Sequence, residues 1–183
     1  VKTLVLFRPP EKMEASAAEA EGMGYRVLRV PATAPLEIQV PAWGRFVDGL
    51  REGSWDWVVF TSTVGVTIAA RRLKASGWGS QERLKGVRLL AIGEATRAAL
   101  ESEGWEVQMV PKDTTSKGVY AALATVDLTG KGVAILRSAQ GNPELVEAIE
   151  SLGAKVLDVP LYRLLPPPDL EALDSFFEEL RKG

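Results

Sequence analysis

The chain contains neither cysteine nor histidine. Without cysteine there is no disulfide framework, thiol nucleophile or thiolate metal site. Without histidine the Ser-His-Asp apparatus and imidazole-bound zinc are excluded as well. Carboxylates, hydroxyls, Lys, Arg and backbone amides remain, a set suited to catalysis by positioning, hydrogen bonding and modest acid–base help. No apolar run is long enough to cross a bilayer, and no charged-then-apolar leader opens the chain. The net charge of -2 lacks the basic excess of a general nucleic-acid binder. These absences predict a cytoplasmic protein that uses no metal, nucleic acid or membrane, while local basic residues remain available for an anionic small molecule.

What is present is ordinary globular material: 183 residues, 46% hydrophobic and 25% charged. That length holds one large domain, or one domain plus part of a second. Short apolar, β-branched runs alternate with helical patterns. Strands are predicted at Thr3–Phe7, Tyr25–Val30, Leu36–Val40, Trp57–Thr61, Val87–Ile92, Glu106–Val110, Gly132–Leu136 and Lys155–Pro160. Helices are predicted at Glu11–Met23, Pro41–Glu52, Val64–Ser76, Ala95–Glu103, Ser116–Thr125, Pro143–Leu152 and Leu170–Lys182. Gly24, Gly77, Gly104 and Gly153 stand where a left-handed residue would end a helix. Alternation with continuous apolar strands implies a parallel sheet covered by helices on both faces, the doubly wound α/β class.

The chain also repeats itself. Thr3–Pro31 (TLVLFRPPEKMEASAAEAEGMGYRVLRVP) slides without gaps onto Gly132–Pro160 (GVAILRSAQGNPELVEAIESLGAKVLDVP). Arg8 then meets Arg137, Gly24 meets Gly153, Val27 meets Val156 and Pro31 meets Pro160. Any two βαβ units look somewhat alike, but gap-free agreement of Arg, Gly and Pro favours duplication. The first copy is followed by Trp55–Val66 (WDWVVFTSTVGV). The second is followed by a proline-rich connector, Leu164–Asp169, and one amphipathic helix. One copy of the Trp55–Val66 segment is therefore expected to be missing from this sequence.

In a doubly wound sheet, ligands bind beyond the carboxyl ends of the strands, where helix N-termini present free amides. Four predicted strands run into Ser62, Thr63 and Val64; into Gly93–Thr96; into Thr114, Thr115, Ser116, Lys117 and Gly118; and into Arg137, Ser138, Gly141 and Asn142. Each has a plainer reading. Ser62 and Ser116 fit as helix N-caps, Gly93 as a tight turn, Lys117 and Arg137 as solvated charges. On one rim together they favour an anion site. The glycine spacing of a dinucleotide fingerprint and the Gly-Lys-Ser/Thr of a phosphate loop are lacking.

The series LVLFRPP, DWVVFTSTVGV, LLAIGEATRAALESEGWEV, VPKDTTSKGVYAAL and VAILRSAQGNPELVEAIESLGAKVLDVPLYRLLPP resembles the uroporphyrinogen-III synthase family over nearly the whole chain. The resemblance implies two flavodoxin-like α/β domains joined by a two-stranded linker, the first domain incomplete in this chain. It implies residues 1–33 in domain 1, 34–40 as a linker strand, 41–158 as the inserted domain 2, 159–166 as the return strand and 167–183 re-entering domain 1. It implies a cofactor-free hydro-lyase, acting as a monomer, that closes hydroxymethylbilane to uroporphyrinogen III with loss of water and inversion of the last pyrrole through a spiro intermediate. Amides and hydroxyls at helix N-termini can hold the substrate's carboxylates without metal.

Matched position by position, the resemblance implies substrate binding by Thr61, Ser62, Gly93, Thr96, Ser116, Lys117 and Gly118. Arg8, Arg137 and Ser138 are added from the rim and the repeat. Tyr162, in PLYR, matches a tyrosine thought to help the hydroxyl leave; packing of a linker aromatic against proline is the plainer alternative. A competing reading is a non-catalytic tetrapyrrole- or polycarboxylate-sensing module of the same fold. A receiver domain is disfavoured, because Phe7, Arg8 and Pro9 follow the first strand where acidic residues would be needed.

Overall fold

A computed structural model describes residues 1–8, 10–30, 33–78, 84, 86–166 and 171–182. In chain order the elements are β1 (Thr3–Phe7), α1 (Pro10–Gly22), β2 (Arg26–Val30), β3 (Ala34–Glu37), α2 (Pro41–Glu52), β4 (Trp57–Phe60) and α3 (Thr63–Ala75). There follow β5 (Arg88–Ala91), α4 (Glu94–Ser102), α5 (Ser116–Leu123), β6 (Gly132–Ser138), α6 (Glu144–Glu150), β7 (Lys155–Leu165) and α7 (Glu171–Lys182). The chain divides into two compact units, Val1–Leu36 with Leu164–Gly183, and Glu37–Arg163. Pro9 and Pro31 of the first repeat copy, residues 167–169 of the connector and Leu170 of the last predicted helix lie outside the described residues.

The first unit holds the parallel pair β1–β2, with Thr3 opposite Arg26 and Phe7 opposite Val30. Helix α1 buries Met13, Ala17 and Ala20, spaced to share one face of a helix. Helix α7 packs on β2, and Phe176 meets Phe7 edge-to-face with ring centroids 5.3 Å apart.

The second unit is built on a sheet in the order β3-β7-β6-β4-β5, in which the β7–β6, β6–β4 and β4–β5 pairs are all parallel. Alternation along the strands sorts side chains to two faces. Val58, Phe60, Leu89, Ala91, Ala134, Leu136, Leu157, Val159 and Leu161 join a core with residues of α2, α3 and α4. Trp57, Val59, Leu90, Val133 and Ile135 join another with residues of α5 and α6. Each fully buried Leu, Ile, Val or Phe contributes about 1.5–3 kcal/mol relative to exposure, so the strand sequences themselves fix which face of the sheet meets which helices.

The duplication is visible in the register. Thr3 faces Arg26 and Gly132 faces Lys155, so the two βαβ copies pair their strands at the same chain spacing. All four glycines read as helix stops, Gly24, Gly77, Gly104 and Gly153, carry positive φ of 85°, 80°, 78° and 85°.

Three predicted strands differ clearly from the structure. The one expected at Lys155–Pro160 runs on to Leu165 as β7. Glu106–Val110 forms only an isolated parallel bridge between Leu90 and Met109. The Gln108 side chain takes the Leu89 N–H at 2.6 Å that a strand partner would otherwise receive, which keeps the ladder short. The strand expected at Leu36–Val40 lies at Ala34–Glu37 instead. Pro41 opens α2 with Val40 as its N-cap, and a rigid Pro at the first helical position fixes where extended chain ends. Arg72, 9% exposed, holds the residues at this boundary: Nε donates to Glu37 Oε1 at 2.6 Å and Nη2 to the Ile38 carbonyl at 2.7 Å. Arg71 also ion-pairs with Glu37.

Candidate functional site

Because β7, β6, β4 and β5 are parallel neighbours, their carboxyl ends share one edge of the second unit. Thr61 and Ser62 follow β4, Gly93 follows β5, and Arg137 and Ser138 close β6. These five expected site residues are thus brought onto one rim.

Ser62 is the N-cap of α3, its extended backbone letting the side chain turn back so that Oγ accepts the Gly65 N–H at 3.0 Å. The same oxygen lies 3.0 Å from the Tyr162 hydroxyl. Tyr162 reaches it because β7 bulges. Arg137 pairs with Pro160 but Ser138 with Tyr162, so one residue of β7 is left over at Leu161. The extra residue sends both Leu161 and Tyr162 into the same core, where Tyr162 is 5% exposed. Its carbonyl accepts the Ala139 N–H at 2.7 Å, which ties the loop after β6 to β7.

The next two loops touch each other. A Cβ on Gly93, the N-cap of α4, would lie 2.7 Å from Thr114 Cγ2 and 3.0 Å from its Oγ1. Thr96, 4% exposed, sits in the first turn of α4 with its N–H donating to the Gly93 carbonyl. The cap of α5 is Thr115, whose Oγ1 accepts the Gly118 N–H at 3.1 Å. Ser116, considered as a cap from sequence, is instead the first helical residue, and Lys117 beside it is exposed. Gly118 is required by close approach: a Cβ there would fall 1.9 Å from the Asp113 carbonyl oxygen. Ser116, Lys117 and Tyr120 on α5, with Asn142, Leu145 and Ala148, border a groove of about 110 Å³.

Arg137, read from sequence as a substrate contact or a solvated charge, is 7% exposed and already engaged. Nε and Nη2 donate to the two Asp158 oxygens at 2.6 and 2.7 Å, and Nη1 to the Asn142 carbonyl at 2.9 Å. A bidentate pair of this kind fixes β6 against β7. Asp158 was not singled out from sequence, yet the repeat carried the signal: it occupies the position of Arg29 in the first copy, and Arg29 pairs instead with Glu14 and Glu21. The Ser138 hydroxyl turns onto its own loop, with Oγ donating to Gln140 Oε1 at 3.0 Å and accepting the Gln140 N–H at 3.2 Å. Arg8 is exposed and follows β1 in the first unit. Among the described residues there is no group of three or more carboxylates that could hold a metal ion, and no helix is long and apolar enough to cross a membrane.

The class defined by these features is a mixed α/β protein with parallel-dominated sheets, carrying hydroxyls, amides and a buried tyrosine at one sheet edge. The chain belongs to the uroporphyrinogen-III synthase family: the family's sequence description, Uroporphyrinogen-III synthase HemD, matches residues 14–183. A protein of Methanothermobacter thermautotrophicus, provisionally named a uroporphyrinogen-III synthase, is 27% identical over 180 residues, covering 98% of this chain and 69% of that protein. The uroporphyrinogen-III synthase of Chlorobaculum parvum is 24% identical over 183 residues, covering 100% and 72%. Among solved structures, a mutant uroporphyrinogen III synthase of Thermus thermophilus matches with a TM-score of 0.72 at 27% identity, covering 100% of this chain and 69% of that one.

Proposed function

We propose that this chain works as a uroporphyrinogen-III synthase, cyclising hydroxymethylbilane to uroporphyrinogen III with inversion of the last pyrrole and loss of water, as a cytoplasmic monomer in tetrapyrrole biosynthesis. The observation that carries the reading is the Tyr162–Ser62 contact at 3.0 Å, where a phenol meets the N-cap of a helix on the rim where this proposal puts the substrate. The flavodoxin-like form of the second unit is part of the proposal. Counted cyclically from β6, so that β4 and β5 follow β7, the strands run β7-β6-β4-β5 with Met109 bridging outside β5, which supports a circularly permuted 2-1-3-4-5 order.

In this account the N-termini of α3, α4 and α5 hold substrate carboxylates, with Thr61, Gly93, Ser116 and Lys117 as the contributing positions. Thr96 and Gly118, whose N–H groups donate to the Gly93 carbonyl and to Thr115 Oγ1, shape the loops that present them. The pyrroles of the substrate supply the electron push. Tyr162 gives its proton to the departing hydroxyl as the C–O bond breaks, and a proton released as the new macrocycle regains its aromatic pyrrole restores the phenol. Ser138 belongs to the outer part of this rim, whereas Arg137 supports it through Asp158. Incubation with freshly prepared hydroxymethylbilane tests the proposal: uroporphyrinogen III supports it, and tight binding of the polycarboxylate without turnover would make the chain a sensing module instead.

A further inference from the structure

Ser62 stands among the hydroxyls expected to grip substrate, yet its geometry points elsewhere. Its Oγ accepts the Gly65 N–H at 3.0 Å and lies 3.0 Å from the Tyr162 hydroxyl. A serine hydroxyl has one hydrogen and two acceptor positions. The Gly65 amide can only donate, so it occupies one acceptor position permanently. Both partners in the Tyr162 contact are hydroxyls, so the hydrogen between them can belong to either oxygen.

We infer that Ser62 is a positioning residue acting through Tyr162: in the working state Gly65 N–H donates to Ser62 Oγ, and Ser62 O–H donates to Tyr162 Oη. This arrangement has two consequences. It turns the hydrogen of Tyr162 away from Ser62 and leaves it free for the departing hydroxyl. It also aligns a chain of donors from the start of α3 toward the oxygen that gains negative charge when its proton leaves. Donors in series polarise one another, and the amide end of a helix favours negative charge. α3 spans Thr63–Ala75, long enough to present such an end. The β7 bulge at Leu161 has a matching role, since under unbroken alternation Tyr162, next after Leu161, would face the other side of the sheet. Proton balance is unchanged: the phenol's hydrogen leaves with the hydroxyl as water, Ser62 keeps its own, and the phenol is refilled by the proton that the cyclised product sheds.

The inference rests on the proposed reaction, and a double-mutant cycle separates the two. Wild type, Tyr162→Phe, Ser62→Ala and the double variant are assayed for uroporphyrinogen III formation. The expected result is a kcat loss of at least about a hundredfold for Tyr162→Phe and about tenfold for Ser62→Ala, with KM nearly constant. The double variant should fall no further than Tyr162→Phe, because Ser62 has no effect once the phenol is gone. Ser62→Thr, which keeps cap and hydroxyl, should restore most of kcat. Ser62→Asp separates folding from function: it still accepts the Gly65 N–H, so melting holds, but it has no hydrogen for Tyr162 and kcat should drop as in Ser62→Ala. If Ser62→Ala raises KM with kcat intact, or its loss adds to that of Tyr162→Phe, Ser62 binds substrate directly and the inference is overturned while the reaction stands. If Tyr162→Phe is as active as wild type, or wild type yields only the non-inverted isomer, the proposed reaction fails and takes the inference with it.

Discussion

The Tyr162 hydroxyl and Ser62 Oγ lie 3.0 Å apart although the residues are far apart in sequence. They meet because β4 and β7 flank β6 in a parallel sheet, and because a bulge shifts Tyr162 onto the face that α3 covers. Three ingredients are needed together: strand order, one surplus residue and a serine cap.

Arg137 and Arg8 occupy matching repeat positions but should respond unequally to truncation. Arg137→Ala removes three hydrogen bonds and strands Asp158, and should cost about 2–4 kcal/mol. Arg8 is exposed, and Arg8→Ala should change stability by no more than about 0.5 kcal/mol. Denaturant midpoints measure both. Equal effects would contradict the assignment of Arg137 to the scaffold.

Gly118→Ala should be more damaging than its small size suggests. The added Cβ would fall 1.9 Å from the Asp113 carbonyl, and backbone cannot rotate away as a side chain can. A loss of about 2–3 kcal/mol is expected, at the upper end for overpacking. Gly93→Ala meets the mobile end of Thr114 and should lose less. Thermal melts of the two variants give the order directly.

Lys117 is exposed beside the groove on α5. If it meets a substrate carboxylate, Lys117→Ala should raise KM by about three- to tenfold with kcat nearly unchanged, as expected for loss of a uniform binding contact. The difference should narrow as salt is raised, because exposed charges are screened. A KM insensitive to the substitution would remove Lys117 from the site.

Asp127 supplies the clearest pH dependence. The Thr129 backbone N–H donates to its Oδ1 at 2.9 Å and holds the carboxyl below its ordinary range. A depressed folded-state value makes the charged form the stabilising one. Its contribution is therefore complete above the unfolded carboxylate value of about 3.9 and is lost as pH falls through the lower folded value. Asp127→Ala should be less stable than wild type at pH 7, with the gap closing in strong acid. A gap independent of pH would contradict this.

Much of the framework was legible because it rests on periodicity. Continuous apolar runs gave β4 and β6, the glycines at 24, 77, 104 and 153 ended helices as expected, and the gap-free repeat reappears as a shared strand register. Glu106–Val110 misled because Gln108 satisfies the Leu89 amide through its side chain, something alternation cannot reveal. The rim was legible in position but less so in role. Residue type alone does not distinguish a free Arg137 from one held by Asp158, nor does it say that Thr115 rather than Ser116 caps α5. Those outcomes depend on partners supplied by strand order. The Tyr162–Ser62 contact was the least accessible, since it depends on a register shift after Arg137 that leaves no mark in composition.

Freshly prepared hydroxymethylbilane, incubated with this chain and resolved into uroporphyrinogen isomers, tests the central claim most directly. The account predicts uroporphyrinogen III in excess of the spontaneous product, with the excess falling at least about a hundredfold in Tyr162→Phe. Formation of the non-inverted isomer alone, at the rate seen without protein, would contradict it.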